Sequence, residues 1–176
     1  RMNTVFAQER PDRVLVQGDT TTAMTTALSA FYNGIKVGHI EAGLRTNNIM
    51  SPWPEEANRA MTSRLASLHF AATELNRDNL LSEGIADSTI HVTGNPVIDA
   101  LIEISERPYS LEDEILAGIP EEQQVVLVTA HRRENFGKPM ERIFTALPSS
   151  TGPTTREPVP NPESAWAMTV IPVVDG

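Results

Sequence analysis

Apolar positions along this chain follow two rhythms in turn. Val14-Leu15-Val16 is a short apolar run that stops at Gln17-Gly18, and the residues after it change to helical spacing, with Ala23, Ala27, Leu28 and Phe31 in register. Residues 19–22 supply several side chains able to cap that helix. A second apolar run, residues 35–40, follows Gly34 and ends at Glu41-Ala42-Gly43. Residues 44–53 keep neither rhythm, and a connection of that length inside a compact α/β unit is expected to cover a site rather than merely to join elements. Pro54 suits the first position of a helix, with Glu55 and Glu56 in its first turn and Ala57, Ala60, Met61, Leu65 and Leu68 as its apolar stripe.

The alternation continues. Residues 69–72 predict a strand, residues 74–83 a helix stopped by Gly84, residues 90–92 a strand and residues 96–105 a helix with Val97, Ile98, Leu101 and Ile102 on one face. Asn95 is held extended by Pro96, which makes Thr93-Gly94-Asn95-Pro96 the expected domain boundary. An acidic segment, 112–122, precedes a β-branched run, 125–129, that ends at Ala130-His131-Arg132-Arg133-Glu134-Asn135. Residues 1–10 read as the last turns of a helix. Strands alternating with helices predict a parallel sheet of the α/β class. The character changes at Pro148: residues 148–176 hold six of the thirteen prolines and show no sustained period, so they read as a disordered tail.

Composition narrows the function. The balance of 14 basic against 23 acidic residues, a net charge of −9, argues against a nucleic-acid partner while leaving room for a local basic pocket. With no cysteine, disulfides and thiolate-bound zinc are excluded. No stretch resembles a signal peptide or a membrane span, and the chain is expected to be cytoplasmic.

The candidate chemistry gathers where strands end, which is where open α/β sheets place their sites. Asp19 and Glu41 each follow an apolar run, and Glu55 opens the helix after the aperiodic segment. Asp19 also reads as a helix cap and Glu55 as a partner of the helix dipole. Glu41 has no cap to make and needs a partner if buried. His131 and Arg132 leave a strand where a guanidinium fork can meet an anion, although solvated surface charges fit the same residues. His39 and Glu41 have a strand spacing that can seat a metal, but no third ligand is evident. His69 and His91 read as structural histidines and Trp53 as packing.

The segments VLVQGDTTT, VGHIEAGLRT, SPWPEEANR, VTGNPVIDAL and VTAHRREN together resemble the non-hydrolysing UDP-N-acetylglucosamine 2-epimerase family over residues 11–147. The resemblance implies two Rossmann-like domains of the glycosyltransferase-B type. Residues 1–95 would be the N-terminal domain without its first strands and phosphate loop, and 96–147 a linker helix with the start of the second domain. Residues 148–176 would be a tail outside the family. It implies conversion of UDP-N-acetylglucosamine to UDP-N-acetylmannosamine by elimination and re-addition of UDP, for cell-surface polysaccharide precursors. Asp19, Glu41, Glu55 and His131 match the family's catalytic positions, and Arg132 falls beside them as a substrate-binding residue. No cofactor or metal is implied; a UDP-sugar substrate and, for the intact enzyme, a homodimer are. The chain looks truncated at both ends and is expected to be inactive by itself. A hydrolysing epimerase or a glycosyltransferase on the same scaffold remains the alternative, as does an inactive remnant.

Overall fold

The computed structural model describes residues 1–108, 124–130, 137–146 and 167–173. They belong to two compact units, Arg1–Arg107 and Pro108–Gly176.

In the first unit, β1 (Arg13–Gln17), β2 (Lys36–Ala42), β3 (Leu68–Ala71) and β4 (Ile90–Val92) lie side by side in chain order and run parallel. Parallel neighbours need crossovers. These are α2 (Thr21–Tyr32), α3 (Glu55–Leu65) and α4 (Glu74–Ser82), the last followed by a 3₁₀ turn at Asp87–Thr89. Helix α1 (Met2–Glu9) precedes the sheet and α5 (Pro96–Ser105) follows it. The α/β expectation is met, and β4 and α5 coincide with the predicted ranges.

One core cluster joins Phe6, Val16, Ala23, Ala27, Ala30 and Val37, and a second joins Ala42, Ala71, Leu80 and Ile90. In α2 the buried stripe is therefore alanine alone. Leu28 and Phe31, expected on that face, are exposed, because small side chains let the helix sit close to the sheet while the larger ones stay at its rim. The expected cap is present as Thr20, whose hydroxyl accepts the Ala23 N–H at 3.1 Å, so Asp19 is released from that duty.

The predicted apolar stripe of α3 holds at Leu65, which packs half-buried against the first core cluster, and is corrected at Met61 and at Leu68, which lies in β3. Met61 is exposed, and the buried face consists of Glu56, Asn58, Arg59, Thr62 and Ser63. Each of these is bonded. The Thr62 and Ser63 hydroxyls donate to the carbonyls of Asn58 and Arg59 at 2.8 and 3.0 Å, and the other three bind the β1–α2 corner or the 44–53 loop. A buried polar face is stable when largely bonded in this way; Glu56 Oε2 and Arg59 Nε lack a hydrogen bond among the described residues, and the guanidinium lies 3.4 Å from that oxygen. Val97, Ile98, Leu101 and Ile102 of α5 are exposed among the described residues. His91 is exposed as well, with its ring stacked on Phe70 at 6.0 Å rather than buried in a strand. Trp53 is 58% exposed and does not serve as packing.

Gly43, just after β2, takes φ +87°, and a Cβ there would lie 2.1 Å from the carbonyl oxygen of Asn76. Gly43→Ala is expected to destabilise the unit by about 1–3 kcal/mol, since neither backbone can yield, and urea denaturation measures it.

In the second unit, β5 (Gln124–Ala130) pairs antiparallel with β6 (Ala167–Val173), and α6 (Lys138–Ala146) lies between them in sequence. β6 falls within the proline-rich stretch read as having no period. Its Val170-Ile171 pair sits opposite Leu127 and Val126, so partnership with a β-branched strand fixes a segment whose own pattern is weak. The other residues of 148–176 lie outside the described residues.

Candidate active site

The register of β1 and β2, with Val16 opposite His39 and Gln17 opposite Ile40, brings the carboxyl ends of both strands to one place. Gly18 turns there with φ +71°, and its N–H donates to the Ile40 carbonyl at 3.0 Å. Glu41 is the extra residue of a bulge between Ile40 and Ala42 and has φ +64°. A bulge re-aims its side chain. Glu41 Oε1 accepts from Gln17 Nε2 at 3.2 Å, and Oε2 lies so near Gly18 that a Cβ on that residue would meet it at 3.3 Å. The bulge also breaks the strand alternation that would have aligned His39 with Glu41 for a metal. His39 Nε2 is instead bonded to the Gly18 carbonyl at 2.9 Å.

Asp19 follows Gly18 directly. Its carboxylate accepts from Arg59 at 2.5 Å, and its carbonyl accepts from Asn58 Nδ2 at 2.9 Å, so α3 is fastened to the first corner through two consecutive side chains. Glu55 stands one helical turn before Arg59, the spacing that puts two side chains on one face. It is half-buried and has no hydrogen-bond or ion-pair partner among the described residues. Glu56, expected only to face the helix dipole, is buried. Its Oε1 accepts the N–H groups of Thr46 and Asn47 at 3.0 and 3.1 Å and so holds the 44–53 loop to α3. Arg45, at the start of that loop, is enclosed by both oxygens of Glu83 at 2.5 and 3.0 Å and by Ser63 Oγ at 3.0 Å.

The structure thus gathers Asp19 and Glu41 around Gly18 and ties the helix carrying Glu55 to the same corner. His131 and Arg132 lie outside the described residues. Sequence reasoning did not single out Arg59 or Asn58, and it gave Glu56 and His39 other roles, a partner of the helix dipole and a candidate metal ligand. Arg59 carried a legible sign, its spacing of four from Glu55 and three from Glu56; Glu56 is defined by the preceding loop, and Asn58 and His39 by partners far away in the chain.

His39 is fully buried, and burial lowers its pKa from 6.5 to about 4, against the opposing pull of its bond to Gly18. Between those values the unfolded chain binds a proton that the folded chain refuses, so stability falls as pH drops from about 6.5 to about 4 and levels off below. The loss expected across that window is roughly 3 kcal/mol, seen in urea midpoints at successive pH values and absent in His39→Gln.

A family model described as UDP-N-acetylglucosamine 2-epimerase matches residues 1–163. The chain belongs to that family. The match takes in part of the segment after residue 147 and all of the first ten residues, beyond the range of the motifs. The chain is 47% identical over 175 residues to the UDP-N-acetylglucosamine 2-epimerase of Escherichia coli (strain K12), covering 88% of this chain and 46% of that one. The crystal structure of a putative UDP-N-acetylglucosamine 2-epimerase from Listeria monocytogenes superposes with a TM-score of 0.74 at 45% identity, covering 83% of this chain and 38% of that one. The UDP-GlcNAc 2-epimerase of Neisseria meningitidis bound to UDP-GlcNAc is 57% identical with a TM-score of 0.58, covering 60% and 29%. The fold class, a Rossmann-like parallel α/β sheet, is that of these relatives. The chain spans about half the length of the curated relatives it matches.

Proposed function

We propose that this family member forms part of an enzyme that interconverts UDP-N-acetylglucosamine and UDP-N-acetylmannosamine without hydrolysis, with Asp19, Glu41, Glu55 and His131 as its catalytic groups. The observation that carries the reading is the gathering of Asp19 and Glu41 about Gly18, with α3 and its Glu55 fastened to the same corner by Arg59. The reaction requires at least two positioned proton-transfer groups. One takes the C2 proton as the C1–O bond breaks, the oxygen leaving with the bonding pair as UDP and a C1–C2 double bond forming. In return, a UDP oxygen re-adds to C1 while a proton reaches C2 on the opposite face, which needs a second positioned group. His131 and Arg132, which follow β5 in the sequence, supply hydrogen-bond donors for the leaving diphosphate. A donor of this kind contributes about 10²–10³ in rate.

The whole protein would have two Rossmann-like domains of the glycosyltransferase-B type, with 1–95 in the first and 96–147 leading into the second, and would act as a cytoplasmic homodimer. The ligand named for the Neisseria meningitidis relative, UDP-GlcNAc, supports the substrate class. The test uses this chain extended at both ends to the length of its relatives, incubated with UDP-N-acetylglucosamine and followed by anomeric proton NMR. UDP-N-acetylmannosamine is the expected product; free UDP with free N-acetylmannosamine would instead mean hydrolysis.

A further inference from the structure

The geometry points to His39 as a positioning residue for the corner carboxylates, a neutral imidazole whose Nε2–H holds the Gly18 carbonyl in place; this rests on the epimerase reading of the site. His39 lies in the middle of the sheet, opposite Val16 on β1 and His69 on β3, and is fully buried. Its one hydrogen bond among the described residues runs from Nε2 to Gly18 O at 2.9 Å. A carbonyl oxygen only accepts, so Nε2 carries the proton. Nδ1 is buried without a partner among the described residues. That arrangement is tolerable for a bare lone pair and costly for an unmatched N–H, which fixes the same tautomer a second time.

The bond matters because of what Gly18 adjoins. Its N–H is held by the Ile40 carbonyl and its carbonyl by His39, so β2 grips the turn from both sides at residues one apart. The gripped carbonyl belongs to the peptide that begins Asp19, and a Cβ on Gly18 would meet the Glu41 carboxylate at 3.3 Å. Release of that peptide would let the left-handed turn at φ +71° relax and move both acids together. Arg59 and Asn58 restrain Asp19 from the α3 side, and His39 is the restraint from inside the sheet. Burial keeps the ring neutral around pH 7, with His69 and Arg45 disfavouring its charge and Asp19 favouring it.

Glutamine and asparagine separate this role from simple packing. A glutamine amide nitrogen falls near the place of Nε2, an asparagine one near Nδ1, and phenylalanine fills the space with no donor. In the 176-residue chain, two-bond ¹H–¹⁵N correlation is expected to find the Nε2–H tautomer at His39. In the extended chain, His39→Asn and His39→Phe should lower kcat about 10–100-fold with little change in KM, and His39→Gln should restore most of it. An Nδ1–H tautomer, or a kcat in His39→Asn equal to that of the native residue, would overturn the assignment. Absence of any turnover by the unsubstituted extended chain would sink the epimerase reading instead, while the tautomer, read without any substitution, still decides the role of His39.

Discussion

Asp19→Asn, Glu41→Gln and Glu55→Gln, each made in the extended chain, are expected to lower kcat for epimerisation at least about a hundredfold. The three differ in setting. Asp19 is held beside the Arg59 guanidinium; among the described residues, Glu41 accepts only from the neutral Gln17 amide and Glu55 has no partner. Amide replacement keeps the volume of each side chain and removes its capacity to exchange a proton, so a loss of kcat with little change in KM is the signature of a group used in the chemical step. Near-normal turnover by all three variants would remove the carboxylates from the mechanism.

Arg59→Met should be the most destabilising single change at the site, by about 3–5 kcal/mol. Arg59 is buried and stands between Asp19 at 2.5 Å and Glu56 at 3.4 Å. Removing its charge strands Glu56, whose side chain is 5% exposed, while Asp19, at 30%, recovers part of its loss from water. Urea unfolding followed at the β2 amides gives the number. Adding Glu56→Gln to Arg59→Met should return part of the loss, because the buried uncompensated charge is then gone. Additive effects of the two changes would mean that the ion pair contributes nothing.

Much of this architecture was legible from periodicity. The period change after Val16 and the run ending at Glu41 locate β1, α2 and β2, and Asn95-Pro96 marks the start of α5. What failed was the assumption that a helix buries its apolar side. α3 hides Glu56, Asn58 and Arg59 because they bond the β1–α2 corner and the 44–53 loop, and no local pattern reports a partner such as Asp19, forty residues away. Glu41 was found by its place at a strand end, yet the bulge that aims it at Gly18 depends on the register of β2 against β3. The role of His39 was equally hidden, since its partner is set by the pairing of β1 with β2.

The central claim is that these corners move a proton at C2 of a UDP-sugar. The most direct measurement is turnover of UDP-N-acetylglucosamine by the extended chain in D₂O, with the products read by proton NMR and mass. Re-protonation from an acid in exchange with solvent predicts one deuteron at C2 of the UDP-N-acetylmannosamine formed, with the signal growing at the rate of epimerisation. An epimer that retains its original C2 proton throughout would contradict the claim.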